Sequence, residues 1–377
     1  MRIAVNVRLL LKNKLEGIGW FTYENLKRIT RAHPEHEFIF IFDRPYDQDF
    51  VFGDNVKPVV ISPPTRHPVL YIIWFEIKIP AILKRFKADL FLSPDGFLSL
   101  RTKVPQVGVI HDINFAHRPD DMPWVYQKYY NRYFPKFARV ARRLATVSEY
   151  SKMDIAKTYN IPEEKIDVVY NGANEMYTPI SNKQKELVKQ KFSDGNPYFL
   201  FIGAFSARKN IKKLIQAFDQ FKHNDNHNFR LLLIGEPLFR DDELRKIYES
   251  LKHKDQIVFL GRQSPENLHQ ILASAHALAF VPFFEGFGIP VVESIECEVP
   301  VLASNVTSVP EVAGEAALFV NPENVDEIVD GMLKISTDEK LHKKLIGAAI
   351  AQKGKFTWNK SAERLWQTIE KAKKDAG

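Results

Sequence analysis

Short apolar runs alternate with amphipathic stretches along the whole chain, and that rhythm restricts the fold more than any other feature. Arg2–Leu10, rich in Ile, Val and Leu, reads as a buried parallel strand. The glycine-containing turn Glu16-Gly17-Ile18-Gly19 follows, then a helical pattern over Trp20–Ala32. Further strands are expected at Glu37–Phe42, Lys57–Ile61, Leu90–Ser93, Gln106–His111 and Leu144–Val147, with helical stretches between most of them. The rhythm stops over Ala173–Lys183, where Pro179, Ser181 and Asn182 mark a linker. It restarts with Tyr198–Ile202, Arg230–Ile234 and Ile257–Leu260, each ending in glycine, then Ala277–Val281 and Val299–Ala303. Between the first two, Ile211, Leu214, Ile215 and Phe218 share one face of a helix over Asn210–Lys222. The fold class is therefore α/β, two doubly wound domains in series, each binding ligands at the carboxyl ends of its strands and expected to face a common cleft. A length of 377 residues agrees with two domains at about 150 residues each.

The chain carries 53 Lys and Arg against 46 Asp and Glu, a net charge of +7. That balance favours anionic partners: nucleotide, phosphate, nucleic acid or an acidic lipid face. A single cysteine, Cys297, excludes an internal disulfide framework and a cysteine-based zinc site, and reads as a small buried apolar side chain. Met1 leads straight into the first strand, so no secretory leader is expected, and no apolar run reaches the ~18 residues that spanning a bilayer needs. No Gly-x-Gly-x-x-Gly follows the first strand and no P-loop is present, which argues against hydride transfer and ATP hydrolysis.

The stretch Phe283-Phe284-Glu285-Gly286-Phe287-Gly288-Ile289-Pro290-Val291-Val292-Glu293 joins a strand to a helix expected over Val291–Glu298, with Pro290 at its first position. Such an N-terminus offers backbone N–H groups and a positive dipole end to a phosphate. Glu285 and Glu293, eight residues apart, suit hydroxyl groups on either side of that phosphate. In Gly203-Ala204-Phe205-Ser206-Ala207-Arg208-Lys209-Asn210, Arg208 and Lys209 stand just before another helix. Cations there are electrostatically unfavourable on their own, so they imply an anion, which arginine clamps bidentately and lysine meets as a point charge.

Together with Gly17-Ile18-Gly19, Val109-Ile110-His111-Asp112, Thr146-Val147-Ser148-Glu149-Tyr150-Ser151-Lys152, Tyr170-Asn171-Gly172, Val258-Phe259-Leu260-Gly261 and Ser308-Val309-Pro310-Glu311-Val312-Ala313-Gly314, these segments resemble the GT-B glycosyltransferases of family 4, also called glycosyl transferases group 1, over essentially the whole chain. Within that family, His111-Asp112-Ile113-Asn114-Phe115-Ala116-His117-Arg118-Pro119 is similar to O-antigen and polysaccharide mannosyltransferases. The resemblance implies an acceptor-side domain over 1–175 joined by a returning helix at 358–377, and a donor-binding domain over 176–357. It implies hexose transfer from a nucleotide-diphosphate sugar, GDP-mannose in this subgroup, to a glycan or lipid-linked acceptor. Anomeric configuration is kept, with no metal or other cofactor. Arg208 and Lys209 match the diphosphate pair, Glu285 the residue on the donor sugar, and Gly286, Phe287, Gly288 and Ile289 the amides beside sugar and phosphate. Glu293 matches the carboxylate on the ribose, Gly17 and Gly19 a loop near phosphate and acceptor, His111 a histidine near the reacting carbon, and Arg262 the position where the base is read. A cytoplasmic enzyme is implied, with peripheral contact at the inner membrane face and no nucleic-acid partner.

Alternative readings on the same scaffold are a non-catalytic sugar-nucleotide or polysaccharide-binding protein and a sugar-nucleotide epimerase. The Asp-x-Asp at Asp47-Gln48-Asp49, a metal motif in other transferases, reads here as a surface loop. Leu70–Lys87 mixes aromatic, apolar and basic residues, and fits either a buried helix ending in a charged turn or a helix seated on an anionic membrane.

Overall fold

A computed structural model describes residues 1–65, 67–224, 228–235 and 242–375. The chain divides into two units, Met1–Gly172 with Thr357–Gly377, and Ala173–Phe356.

The first unit is built on a seven-stranded parallel sheet. Its strands are β1 (Arg2–Asn6), β2 (Glu37–Phe42), β3 (Val56–Val60), β4 (Leu90–Ser93), β5 (Gln106–Val109), β6 (Arg143–Thr146) and β7 (Ile166–Val168), in the order β3-β2-β1-β4-β5-β6-β7. Strands such as Glu37–Phe42 are buried along nearly their whole length because helices cover the sheet. β1 is shorter than the run Arg2–Leu10 suggested. Asn6 donates to Ser93 Oγ (3.0 Å) and Asp95 Oδ1 (2.8 Å), and the Leu10 amide bonds Val7 O, so the chain turns out of the sheet after Asn6. The glycine turn is likewise corrected: the helix starts at Gly17 and runs to Ala32, taking both Gly17 and Gly19 into its first turn. A Cβ on Gly19 would lie 3.1 Å from Leu9 O and 3.2 Å from a Leu15 methyl, which explains glycine at this helical position.

The helix Trp358–Lys374 belongs to this first unit, and Thr357 caps its start by accepting from the Lys360 amide. Trp366 stacks on His33 (3.7 Å between centroids), Arg28 bonds Asn359, and Lys371 pairs with Asp167. Leu365 and Ile369, on the inner face of this helix, are fully buried.

The second unit holds a six-stranded parallel sheet. It comprises β8 (Tyr198–Ile202), β9 (Arg230–Ile234), β10 (Ile257–Gly261), β11 (Ala277–Phe280), β12 (Val301–Ser304) and β13 (Ala317–Val320), ordered β10-β9-β8-β11-β12-β13. β12 starts two residues later than expected. Glu298 takes a left-handed turn (φ 60°) and the Val299 amide bonds Ser294 O. β13 escaped the sequence reading: it is four residues long, lies at the sheet edge, and leaves Phe319 exposed. The helix Ile211–Phe221 buries Ile211, Leu214, Ile215, Phe218 and Phe221 on one face, as the spacing requires.

In both sheets the order reverses beside the first strand of the unit. β1 lies between β2 and β4, and β8 lies between β9 and β11. These reversals are where an open α/β sheet leaves a crevice at its carboxyl edge.

Candidate functional site

The second unit brings its charged candidates to the reversal between β8 and β11. Arg208 and Lys209 follow β8 in a short 3-10 turn, and Glu285 follows β11. The Arg208 guanidinium donates to Glu285 Oε2 (2.9 Å) and Phe284 O (3.2 Å), and Lys209 Nζ pairs with the same carboxylate oxygen. Lys209 is buried and lies 5.0 Å from the Phe280 ring centre. Burial would raise the Glu285 carboxyl, but Lys209 and Arg208 overcome that and hold it below its ordinary value. The anion implied by the two cations is thus, within the protein itself, Glu285. A bound diphosphate would compete with Glu285 for the two cations.

Thr307, and two motif residues to which the sequence assigned no role, Asn210 and Ser308, hold this arrangement in place. Asn210 adopts a left-handed conformation (φ 60°), and its amide nitrogen donates to Val281 O (2.9 Å) and Pro322 O (2.8 Å), tying the β8 and β11 loops together. Thr307 Oγ1 accepts from the Glu285 amide (3.3 Å), and Ser308 Oγ donates to the carbonyls of Glu285 (2.8 Å) and Phe287 (3.2 Å). Asn and Ser as turn-favouring residue types were the available signals, but their partners are 71 or more and 21 or more residues away.

The helix beyond Gly288 spans Ile289–Glu296, two residues earlier than expected at each end, so Pro290 is its second residue. Gly288 sits at φ 105°, a conformation side-chain-bearing residues rarely adopt. Glu293 lies in this helix. Burial pushes its carboxyl up to about 8, only partly offset by a side-chain hydrogen bond with Tyr177. Arg262 follows β10, is exposed, and stands two strands from β8. Cys297 is buried in the turn closing the helix, and burial pushes its thiol up.

In the first unit, His111 follows β5. Its Nε2 lies 2.9 Å from Pro94 O, and since a carbonyl only accepts, Nε2 carries the proton and Nδ1 is the acceptor. Burial lowers its pKa, against smaller raising effects of Pro94, Asp112 and Asp95. Phe21, on the helix Gly17–Ala32, packs edge-on against it at 4.9 Å, so the helix carrying Gly17 and Gly19 and the histidine are neighbours. Asp112 accepts from the Asn114 amide and closes a turn. At the β1/β4 reversal, Arg8 pairs with Asp95 (2.6 Å) and lies 4.4 Å from the Phe97 ring centre, a buried ion pair that the sequence reading also missed. Asp47 and Asp49 both pair with Lys12. Among the described residues no helix is long and apolar enough to cross a membrane.

A parallel-sheet unit with a half-buried carboxylate between two cations at its reversal, following another parallel-sheet unit, fits the class of the GT-B glycosyltransferases. Family comparison agrees: residues 16–175 match Glycosyltransferase Family 4 and residues 182–352 match Glycosyl transferases group 1, so the chain belongs to this family and is a glycosyltransferase. It is 28% identical to the O-antigen chain mannosyltransferase B of Escherichia coli over 92% of this chain and 94% of that one. It is 33% identical to the O-antigen chain mannosyltransferase RfbU of Salmonella typhimurium, over 58% of this chain and 57% of that one. The fold is shared with Anabaena Alr3699/HepE in complex with UDP and glucose (TM-score 0.75, 17% identity, 98% and 99% coverage). It is also shared with WaaG, a glycosyltransferase involved in lipopolysaccharide biosynthesis (TM-score 0.75, 16% identity, 97% and 99% coverage).

Proposed function

We propose that the chain is a retaining mannosyltransferase that takes GDP-mannose and extends a glycan or lipid-linked acceptor without a metal or other cofactor. The observation that carries this is the Arg208–Lys209–Glu285 cluster at the β8/β11 reversal. As the glycosidic bond breaks, negative charge builds on the leaving diphosphate, and Arg208 and Lys209 stabilise it. The sugar becomes oxocarbenium-like, and Glu285, displaced from the cations, accepts hydrogen bonds from its hydroxyls. The backbone of Gly286, Phe287, Gly288 and Ile289 lines sugar and phosphate, Glu293 takes the ribose, and Arg262 lies by the base. Gly17 and Gly19 lie by phosphate and acceptor, and the neutral His111 offers Nδ1 to a sugar or acceptor hydroxyl. The mannosyltransferase names of the relatives support the choice of donor.

Thermal melting with GDP-mannose, UDP-glucose and an ADP-sugar tests the donor, because a bound ligand raises stability by mass action. The largest rise is expected with GDP-mannose, and the α-anomer is expected in the product by NMR. A new sugar nucleotide formed without acceptor would instead favour the epimerase reading, and binding without turnover the non-catalytic one.

We also propose that the enzyme works at the inner face of an anionic membrane. The helical stretch from Pro68 to Phe86 buries Tyr71, Trp74, Phe75, Ile79, Ile82 and Leu83. Its other face exposes Val69 (57%) and Ile77 (53%) together with Lys78, Lys84 and Arg85, and Trp124 (65% exposed) lies under Lys128. Apolar side chains flanked by lysine and arginine suit an acidic headgroup layer. Flotation with phosphatidylglycerol vesicles should carry the protein up, and Ile77→Glu should weaken that. Equal recovery with purely zwitterionic vesicles would remove this part of the proposal.

A further inference from the structure

The two buried charges at the β1/β4 reversal sit in a network that ends at His111. Asp95 Oδ2 accepts from Arg8 Nε (2.6 Å), and Asp95 Oδ1 accepts from Asn6 Nδ2 (2.8 Å), Ser93 Oγ (2.9 Å) and the Phe97 amide (3.4 Å). Arg8 also donates to Thr65 Oγ1 (3.1 Å), and its guanidinium lies over the rings of Phe97 (4.4 Å) and Tyr71 (5.1 Å). Asn6, Arg8, Ser93 and Asp95 are all buried. An ion pair so placed often adds no stability over apolar side chains of the same shape, because both charges give up water. What it does add here is a fixed geometry.

That geometry reaches His111 through the turn after β4. Asp95 is bonded by Ser93 before it and Phe97 after it, and the Gly96 amide closes the turn on Ser93 O (3.2 Å). Gly96 lies at φ 79°, and a Cβ on it would come within 3.1 Å of Val109 O and of an Ile110 side-chain carbon. The turn is thus seated on the end of β5, beyond which His111 follows. Within the turn, Pro94 O takes the His111 Nε2 proton at 2.9 Å, and Phe21 packs edge-on against the same ring at 4.9 Å.

We propose that Arg8 and Asp95 are positioning residues for His111: they hold the Pro94 carbonyl where it fixes the imidazole, so that Nδ1 stays unprotonated for a hydroxyl of the sugar or of the acceptor. This rests on the reading of His111 given above. A ring without that anchor is free to turn about its side-chain bonds and to carry its proton on either nitrogen. A displacement of about 1 Å near the reacting atoms can cost ~10² in rate.

A double-mutant cycle tests this. Asp95→Ala alone strands Arg8 as an unpaired buried charge and should lower the melting temperature most. Arg8→Met combined with Asp95→Ala removes both charges and leaves Thr65 its two bonds to Asp43 (2.6 and 2.7 Å), so it should melt closer to the wild type. In GDP release from GDP-mannose, with octyl α-mannoside as acceptor, this combined variant should lose about tenfold to a hundredfold in kcat with little change in donor KM. In a His111→Ala background the same two substitutions should cost about twofold or less, because the group they position is gone. The His111 Nε2 proton, slowed in exchange by its bond to Pro94 O, should give a downfield imidazole signal in proton–nitrogen spectra of the wild type. His111→Ala assigns that signal by its absence, and the combined variant should lose it. Equal losses with and without His111, or an imidazole signal that persists in the combined variant, would overturn this inference and leave the histidine's own role standing. Wild-type turnover by His111→Ala would overturn both.

Discussion

Glu285→Gln is expected to lower turnover by about a hundredfold or more, while nucleotide binding stays as tight as in the wild type or tightens. Glu285 is the carboxylate that neutralises Lys209 and Arg208, and its own charge is held by them. The amide keeps the shape and removes the charge, so the two cations are left for a diphosphate alone. The lost carboxylate interaction with the sugar is made most strongly as charge develops, and losing one such contact typically costs ~10²–10³ in rate. Lys209→Ala is expected to lose both turnover and nucleotide affinity, because that lysine faces the developing charge in either state. Steady-state rates with GDP-mannose, paired with calorimetric affinities, separate the two patterns. Wild-type turnover in both variants would sink the site assignment.

Gly172→Ala is expected to destabilise the first unit by about 3 kcal/mol or more. A Cβ there would lie 2.3 Å from the Trp358 amide nitrogen, 2.6 Å from the Thr357 carbonyl carbon and 3.0 Å from Thr357 Cα. The neighbours are backbone, so no side chain can swing aside, and the helix Trp358–Lys374 must shift bodily. Its buried Trp358, Leu365 and Ile369 then lose contacts. Gly17→Ala is the control, since nothing lies within 4 Å of its Cβ and alanine favours a helix. Denaturant melts should show the first variant shifted and the second not. An unchanged Gly172→Ala midpoint would contradict the close approach.

Much of this was legible in the sequence because parallel strands covered on both faces are plain apolar runs. Leu90–Ser93, Tyr198–Ile202 and Arg230–Ile234 have the limits their sequences suggest. Strand order was not legible, since nothing local states that β8 lies beside β11. The motifs around Arg208 and Glu285 could be picked out separately, but their contact across 77 residues follows from that order. Arg8 and Asp95, 87 residues apart, were invisible for the same reason. Tyr177 was hidden differently: polar neighbours surround it in sequence, yet it is buried beside His269 of the helix Pro265–Ser274. Glu285 and Glu293 could not be told apart from spacing, because the cations beside Glu285 hold its carboxyl low while burial pushes that of Glu293 up.

The first unit is assembled from both ends of the chain, with Thr357–Gly377 closing on Met1–Gly172. On the ribosome, the intervening Ala173–Phe356 emerges whole before those last residues are made, and can fold as a unit of its own. The N-terminal sheet must wait, with the ground that Trp366 and Leu365 will cover still bare. The half of the protein translated first is therefore the half finished last, and its exposed apolar strip is the part of the nascent chain with most need of a chaperone.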